Sequence, residues 1–122
     1  MKILDVKCHN WGLIGPGSWK ERKWSIYDDM SVCYTILYNS NGNDIKTLNF
    51  ELSKDEFDSI IKNIELAKKE NIIIDAFDGV AWGFIKYNND NEIWKRDMGY
   101  IYGISSLENI TTILTKERIE IK

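Results

Sequence analysis

The sequence predicts an α+β fold, an antiparallel sheet of roughly six to seven strands with two helices packed on it. Extended segments of alternating or β-branched residues recur along the chain, and short polar turns separate them. Two further segments each begin at a serine followed three residues later by a glutamate, the capping-box spacing of a helix start. These observations together indicate strands first, then a helix, then strands and a second helix.

Four strands are predicted in the first half of the chain. Residues 2 to 8 alternate, with Leu4, Val6 and Cys8 on one face. A glycine-rich loop over residues 10 to 18 separates them from an extended segment at 19 to 27, and Asp28-Asp29 forms a turn. Residues 32 to 38 then pair antiparallel with residues 45 to 52, because the Asn41-Gly42 dipeptide between them suits a tight hairpin.

The first helix is predicted from Ser53, whose capping-box partner is Glu56. Leu52 lies where it can pack against Phe57 as a hydrophobic staple. One apolar stripe at helical spacing follows and is expected to cover the sheet, formed by Phe57, Ile60, Ile61, Ile64 and Ala67.

The second helix is predicted to begin near Ser105, with Glu108 as its capping-box glutamate, and to end near Thr115. Its buried residues are expected to be Leu107, Ile110, Ile113 and Leu114. Two short segments complete the predicted sheet. Residues 72 to 74 are β-branched, and residues 118 to 122 alternate as a short edge strand would.

Residues 75 to 103 are predicted to form an aromatic-rich β-hairpin with its turn at Asn89 and Asp90. Regular pairing from that turn places Trp82 on one face, diagonal to Gly99. The same pairing places the following residues on the other face of the hairpin: Ala81, Gly83, Ile85, Tyr87, Trp94, Arg96, Met98, Tyr100 and Tyr102. Both faces are largely apolar, which is typical either of a strand covered on both sides or of one that offers a face to a partner.

No group of residues in the chain demands a particular reaction. Cys8, Cys33 and His9 could supply three zinc ligands, but adjacent strand residues point to opposite faces, which separates Cys8 from His9. Asp75 and Asp78 could form an acid/base pair, yet Asp78 precedes a glycine in a turn dipeptide. We expect reduced cysteines, no catalytic residue, no metal and no cofactor.

Length and charge restrict the class of protein. The 122 residues are predicted to form a single globular domain, 1 to 122, without an apolar stretch that could span a membrane. The net charge of −3 argues against a nucleic-acid partner held by phosphate contacts. The basic cluster at residues 20 to 23 is interpreted as a solvated face of a strand. The first residues lack the pattern of a secretory signal, so we expect a cytoplasmic protein.

The segments SWKERKWSIYDD, DGVAWGFIKY and GYIYGISSLENI, at residues 18 to 29, 78 to 87 and 99 to 110, look like those of small uncharacterised domains of Gram-positive-type bacteria. Some small α+β proteins of this size are immunity proteins that neutralise a polymorphic toxin. The resemblance implies such a role and transfers no catalytic residue.

We therefore expect a non-enzymatic protein-binding module of the immunity or antitoxin type, which occludes a partner toxin. Its acidic balance suits the basic clefts of nucleases, because complementary charge speeds association. The predicted contacts are Trp19, Trp24, Tyr87, Trp94, Arg96 and Tyr100. The alternative is a small-ligand protein of phage or host defence that binds or sequesters a nucleotide-like molecule, with a base on the aromatic face and Arg96 at a phosphate.

Overall fold

The structure is a computed structural model that describes residues 1–10, 19–38, 45–69, 80–101 and 103–116. The described residues form one antiparallel six-stranded sheet with two helices, which confirms the predicted α+β fold. In chain order the elements are β1 (Lys2–Asn10), β2 (Trp19–Tyr27), β3 (Ser31–Tyr38), β4 (Ile45–Glu51), α1 (Lys54–Ala67), β5 (Val80–Asn88), β6 (Asn91–Gly99) and α2 (Ser105–Thr115). The strand order in the sheet is β4-β3-β2-β1-β5-β6.

Several predicted features lie outside the described residues. They are the glycine-rich loop, the Asn41-Gly42 turn, the strand at 72 to 74, the carboxylates Asp75 and Asp78, Tyr102, and the strand at 118 to 122. Of the helices in the described part of the chain, none combines the length and the apolar character needed to cross a membrane.

The two sides of the sheet differ because only one of them carries the helices. Leu4, Val6 and Cys8 of β1 face that side and are buried, as the alternation predicted. They join side chains of both helices in one core, including Ile60 and Ile64 of α1 and Leu107 and Ile110 of α2. We call this the helix side and the opposite one the open side.

Helix α1 begins as predicted. The Ser53 hydroxyl accepts a hydrogen bond from the Glu56 backbone N–H, and the Glu56 carboxylate accepts one from the Ser53 backbone N–H. Both bonds satisfy backbone donors that the first turn of a helix leaves without partners.

Helix α2 begins at the predicted residue but with a different cap. Ser105 is the first helical residue, and the N-cap residue is Ile104, whose side chain makes no capping bond. Glu108 instead accepts a hydrogen bond from the Gly103 backbone N–H at 2.6 Å. The positive φ of Gly103, 78°, turns the chain into the helix in a conformation that glycine adopts readily. The capping box predicted here is therefore wrong, although the helix is correct.

The β5–β6 hairpin has its turn at Asn89 and Asp90 as predicted, but its register changes twice. Tyr87 pairs with Glu92, whereas the next residue of β5, Lys86, pairs with Trp94. A second shift lies between the pairs that Phe84 and Trp82 form with β6.

Each shift adds one residue to β6, and one extra residue moves the following side chains to the other face. Arg96 is paired with Phe84, and Gly99 with Trp82. The prediction that Trp94 and Arg96 share a face with Tyr87 is therefore wrong. Trp94 and Arg96 lie on the helix side with Trp82, and Tyr87 lies on the open side.

Replacing Ser53 with alanine should destabilise the protein by about 1 kcal/mol, because the N-cap acceptor of α1 is lost. Ser105→Ala is the matched control, since this serine is exposed and does not cap α2. We expect that change to stay within about 0.5 kcal/mol. Urea unfolding followed by circular dichroism measures both, and equal effects of the two substitutions would contradict the assignment of the caps.

Candidate functional site

The six predicted contact residues do not form one surface. Trp24 is fully buried, with 0% of its surface exposed, so it cannot touch a partner. Arg96 is 7% exposed and donates a hydrogen bond to the Tyr100 carbonyl at 3.3 Å. Trp19 and Trp94 are half-buried against the core on the helix side, and Tyr87 is half-buried on the open side. Two other regions, at opposite ends of the sheet, collect the groups that could bind a partner.

The first region is built on a stack of three aromatic rings on the helix side, which we call the aromatic stack. The Trp24 ring lies 4.8 Å from the Tyr34 ring and 5.6 Å from the Trp82 ring, with interplanar angles of 10° and 19°. Trp24 and Trp82 belong to β2 and β5, which are separated by β1. Their rings can meet because the β1 residue paired with Trp82 is the small Cys8.

Arg22 lies against the aromatic stack. Its guanidinium carbon is 4.9 Å from the centre of the Trp24 ring, 5.3 Å from that of Tyr34 and 5.5 Å from that of Trp19. Its Nε donates a hydrogen bond to the Tyr34 hydroxyl at 2.5 Å. A cation over aromatic rings is stabilised by their quadrupoles, so this arrangement holds the guanidinium in place. The interpretation of residues 20 to 23 as a solvated face is therefore wrong for Arg22.

The neighbours of Arg22 in the basic cluster point the other way. Glu21 and Lys23 pair with β1 residues of the open side, His9 and Lys7. The Glu21 carboxylate forms an ion pair with the Lys7 ammonium on the neighbouring strand, with 4.0 Å between the two groups. Alternation along β2 thus separates Arg22 from the acid next to it in the chain.

The helix side is less well covered around Arg22 than at the opposite end of the sheet. Val32 and Ile26 near the β2–β3 turn are fully buried. Ile36, which pairs with Arg22, is only half-buried, and Lys46, which pairs with Ile36, is exposed. The rim of the aromatic stack is therefore open to solvent and carries positive charge.

The second region lies where β2 turns into β3 and β5 turns into β6. Exposed carboxylates gather there, and we call this region the acidic end: Asp28, Asp29, Glu51, Asp55, Asp90 and Glu92. Only Asp28 among them forms an ion pair with a described residue, at 2.8 Å from the N-terminal amine. The hydrogen bond that the amine donates to Asp28, and then the charges of Asp28, Asp29 and Asp90, raise the pKa of that amine despite some desolvation.

Between these ends, the described residues of the open side include a buried carboxylate, Asp5, which is 2% exposed. The Ser25 hydroxyl donates to it at 2.7 Å and the Tyr87 hydroxyl at 2.9 Å, while the Lys2 ammonium lies 3.0 Å away. Lys23 is 4.0 Å away. Asp5 therefore links β1, β2 and β5, and side chains of the protein itself provide the hydrogen bonds and positive charge that its buried carboxylate requires.

Burial alone would raise the pKa of Asp5. The hydrogen bonds from Ser25, Lys2 and Tyr87 and the charge of Lys23 outweigh that effect and hold the pKa below its ordinary value. Asp5 is therefore ionised at neutral pH. Burial raises the pKa of Tyr87, and the hydrogen bond to Asp5 and the Asp5 charge raise it further.

The two cysteines lie on opposite sides of the sheet. Cys8 lies on the helix side, where burial raises the pKa of its thiol to about 12, so it is protonated at neutral pH. Cys33 pairs with Ser25 and thus lies on the open side. Both cysteines are free. The part of the chain that the structure describes contains no cluster of three metal-ligating side chains.

Comparison with known proteins adds no family: no protein-family model matches the chain, and neither does any curated protein. Function is therefore inferred from the geometry and charge of the two ends of the sheet.

Sequence reasoning missed Arg22, Asp5 and the acidic end. Alternation along β2 could have placed Arg22 on the face of Trp24, since the two are separated by one residue. The acidic end could be predicted only with knowledge of the strand order, because β1 brings together two turns that lie about 60 residues apart in the chain.

Asp5→Asn should lower the free energy of unfolding by about 2 kcal/mol at pH 7, because bonds to a buried charge are lost. The pKa of Asp5 is depressed in the folded state, so this contribution is present above the ordinary value of 3.8 and disappears as the pH falls through the folded pKa. Urea unfolding between pH 7 and pH values below that pKa should show the two proteins converging. Asp97→Asn, at an exposed carboxylate, is the control. A pH-independent difference would contradict the role of the Asp5 charge.

Proposed function

We propose that the protein is a non-enzymatic binding module of the immunity or antitoxin type, which occludes the active site of a partner toxin. The observation that supports this proposal is the acidic end. Its carboxylates are exposed and, apart from Asp28, make no ion pair with a described residue. A basic cleft, such as that of a nuclease, would supply the missing positive charge.

The carboxylates of the acidic end are spread over an area that suits a protein partner. The β2–β3 and β5–β6 turns are separated by β1 in the strand order. Neighbouring strands lie about 4.8 Å apart, which puts these turns roughly 10 to 15 Å from each other. Glu51 at the end of β4 and Asp55 in the first turn of α1 extend the area to one side. A single metal ion or small cation could contact only part of it.

The lysines nearest in sequence do not neutralise the acidic end. Lys2 pairs with Asp5, and Lys54 pairs with Asp58 of α1 at 3.4 Å. Asp29 is oriented by two bonds from Ser31, a backbone N–H at 3.0 Å and a hydroxyl at 2.5 Å. A negatively charged, ordered surface attracts a basic partner over distance and loses little entropy when it docks.

The proposal is tested with the double variant Glu51→Gln/Glu92→Gln, which removes two charges from the acidic end. A partner captured from the native host and identified is purified, and its binding and its enzymatic activity are then measured with each variant. We expect the variant to bind at least about tenfold more weakly, mainly through slower association, and the loss to shrink at high salt.

The matched control is Glu21→Gln/Asp97→Asn, which removes the same charge from side chains outside the acidic end. It should bind like the wild type. Equal weakening by both double variants would mean that net charge alone acts, and it would contradict an interface at the acidic end. A bound partner that keeps its full activity at saturation would contradict the immunity role.

A second candidate function is the binding of a small nucleotide-like molecule. One specific observation favours it, namely Arg22 beside the half-buried ring of Trp19, at the aromatic stack that also contains the half-buried Trp82. Aromatic rings stack bases, and guanidinium groups bind phosphate. This region lies at the end of the sheet opposite to the acidic end, so the two candidate functions use different residues.

A further inference from the structure

Arg22 differs from the other half-buried cations of the sheet in having no carboxylate partner among the described residues. Lys2 and Lys23 share Asp5, and Lys86 pairs with Glu65 of α1. Among the described residues, no carboxylate lies within 4.0 Å of the Arg22 guanidinium. The nearest acid in the chain, Glu21, is on the open side with Lys7. Arg22 is thus a positive charge whose stabilisation comes from rings and one hydroxyl.

The guanidinium is nevertheless held in one position. Three rings lie within 5.5 Å of its carbon, and its Nε is used by the Tyr34 hydroxyl. Among the described residues only Tyr34 accepts a hydrogen bond from this guanidinium, and it uses Nε, so the two terminal amino groups can serve other acceptors. Two parallel N–H groups in a plane match the oxygens of a phosphate or a carboxylate. A guanidinium that is already ordered loses little entropy when it binds such a group.

A further hydrogen-bond donor lies beside Arg22, the Tyr34 hydroxyl. The Tyr34 hydroxyl accepts from Arg22 and keeps its own proton to donate, since its pKa is raised, mainly by burial. The Tyr34 hydroxyl and the Arg22 amino groups therefore form one group of donors that can bind an oxyanion.

Flat apolar surface flanks these donors. Trp19 lies against the Arg22 guanidinium, Trp82 is an outer ring of the aromatic stack next to Trp24, and both are half-buried. Lys46, two strands from Arg22 on the same side of the sheet, adds a second positive charge at the rim. The described residues of this region therefore combine donors, positive charge and ring surface.

We propose that Arg22 and Tyr34 bind the oxyanion of a small planar molecule of the nucleoside monophosphate class, whose ring stacks on Trp19 or Trp82. This inference deepens the second candidate function and rests on it. It is independent of the acidic end, which uses other residues.

The test is isothermal titration calorimetry of the full chain with adenosine and uridine monophosphates, with adenosine and inorganic phosphate as partial ligands. We expect a nucleoside monophosphate to bind with a dissociation constant of about 1 mM or lower and more tightly than either partial ligand. Arg22→Gln should weaken binding by at least about tenfold, and Tyr34→Phe by a few fold, since each removes donors to the oxyanion.

Two further variants keep the result interpretable. Arg22→Lys keeps the charge but loses the planar pair of donors, and it should also weaken binding, which covers the case in which Arg22→Gln does not fold. Lys62→Gln removes the same charge from an exposed position on α1 and should bind like the wild type.

Two outcomes would overturn the inference in different ways. Wild-type protein that binds no nucleoside monophosphate at about 10 mM would refute both the inference and the second candidate function. Wild-type binding that is unchanged in Arg22→Gln and Arg22→Lys, or equally reduced in Lys62→Gln, would refute the Arg22 site but leave nucleotide binding in place.

Discussion

The fold depends on the pairing of β1 with two strands from different parts of the chain. β1 pairs with β2, which follows it directly, and with β5, which follows about 70 residues later. This second pairing joins the β1–β4 meander to the β5–β6 hairpin and makes one sheet of six strands. It also places β1 in the interior of the sheet, where alternation points Val6 and Cys8 into the core and Asp5 to the open side. The Trp24–Trp82 contact and the Tyr87–Asp5 bond both cross between the two parts of the chain through β1.

The sequence predicted most strands and helices because their signals are local. The capping box at Ser53 and the alternation of residues 2 to 8 each depend on a few neighbouring residues, and the structure confirms both. The faces of β6 could not be predicted in the same way. A bulge adds one residue without a clear local signature, and the one next to the turn moved Trp94 and Arg96 to the helix side. The crowding of Met98 against the position where a side chain on Gly83 would lie is visible only in three dimensions.

The candidate regions were harder to predict than the fold because each depends on strand order. The acidic end combines residues from two turns, the end of β4 and the start of α1, and no single stretch of sequence carries it. Arg22 lies in a run of charged residues that resembles a solvated surface. Its rings come from Tyr34 on β3 as well as from its own strand. The aromatic excess in residues 75 to 103 suggested a contact face, but much of it serves the core: Trp82 and Trp94 both pack against the buried cluster.

The titratable groups that lie nearest to Arg22 among the described residues do not provide a negative charge to neutralise it. The two titratable groups nearest to it in the core are the Cys8 thiol and the Tyr34 hydroxyl, and either could in principle ionise and become its counterion. Burial raises the pKa of Cys8 to about 12, and burial likewise raises that of Tyr34, while the positive charge of Arg22 opposes the shift in both cases without cancelling it. Both groups are therefore neutral at physiological pH. The described residues thus surround Arg22 with polarisable but uncharged groups, and full neutralisation of the guanidinium requires a negative charge from outside that set.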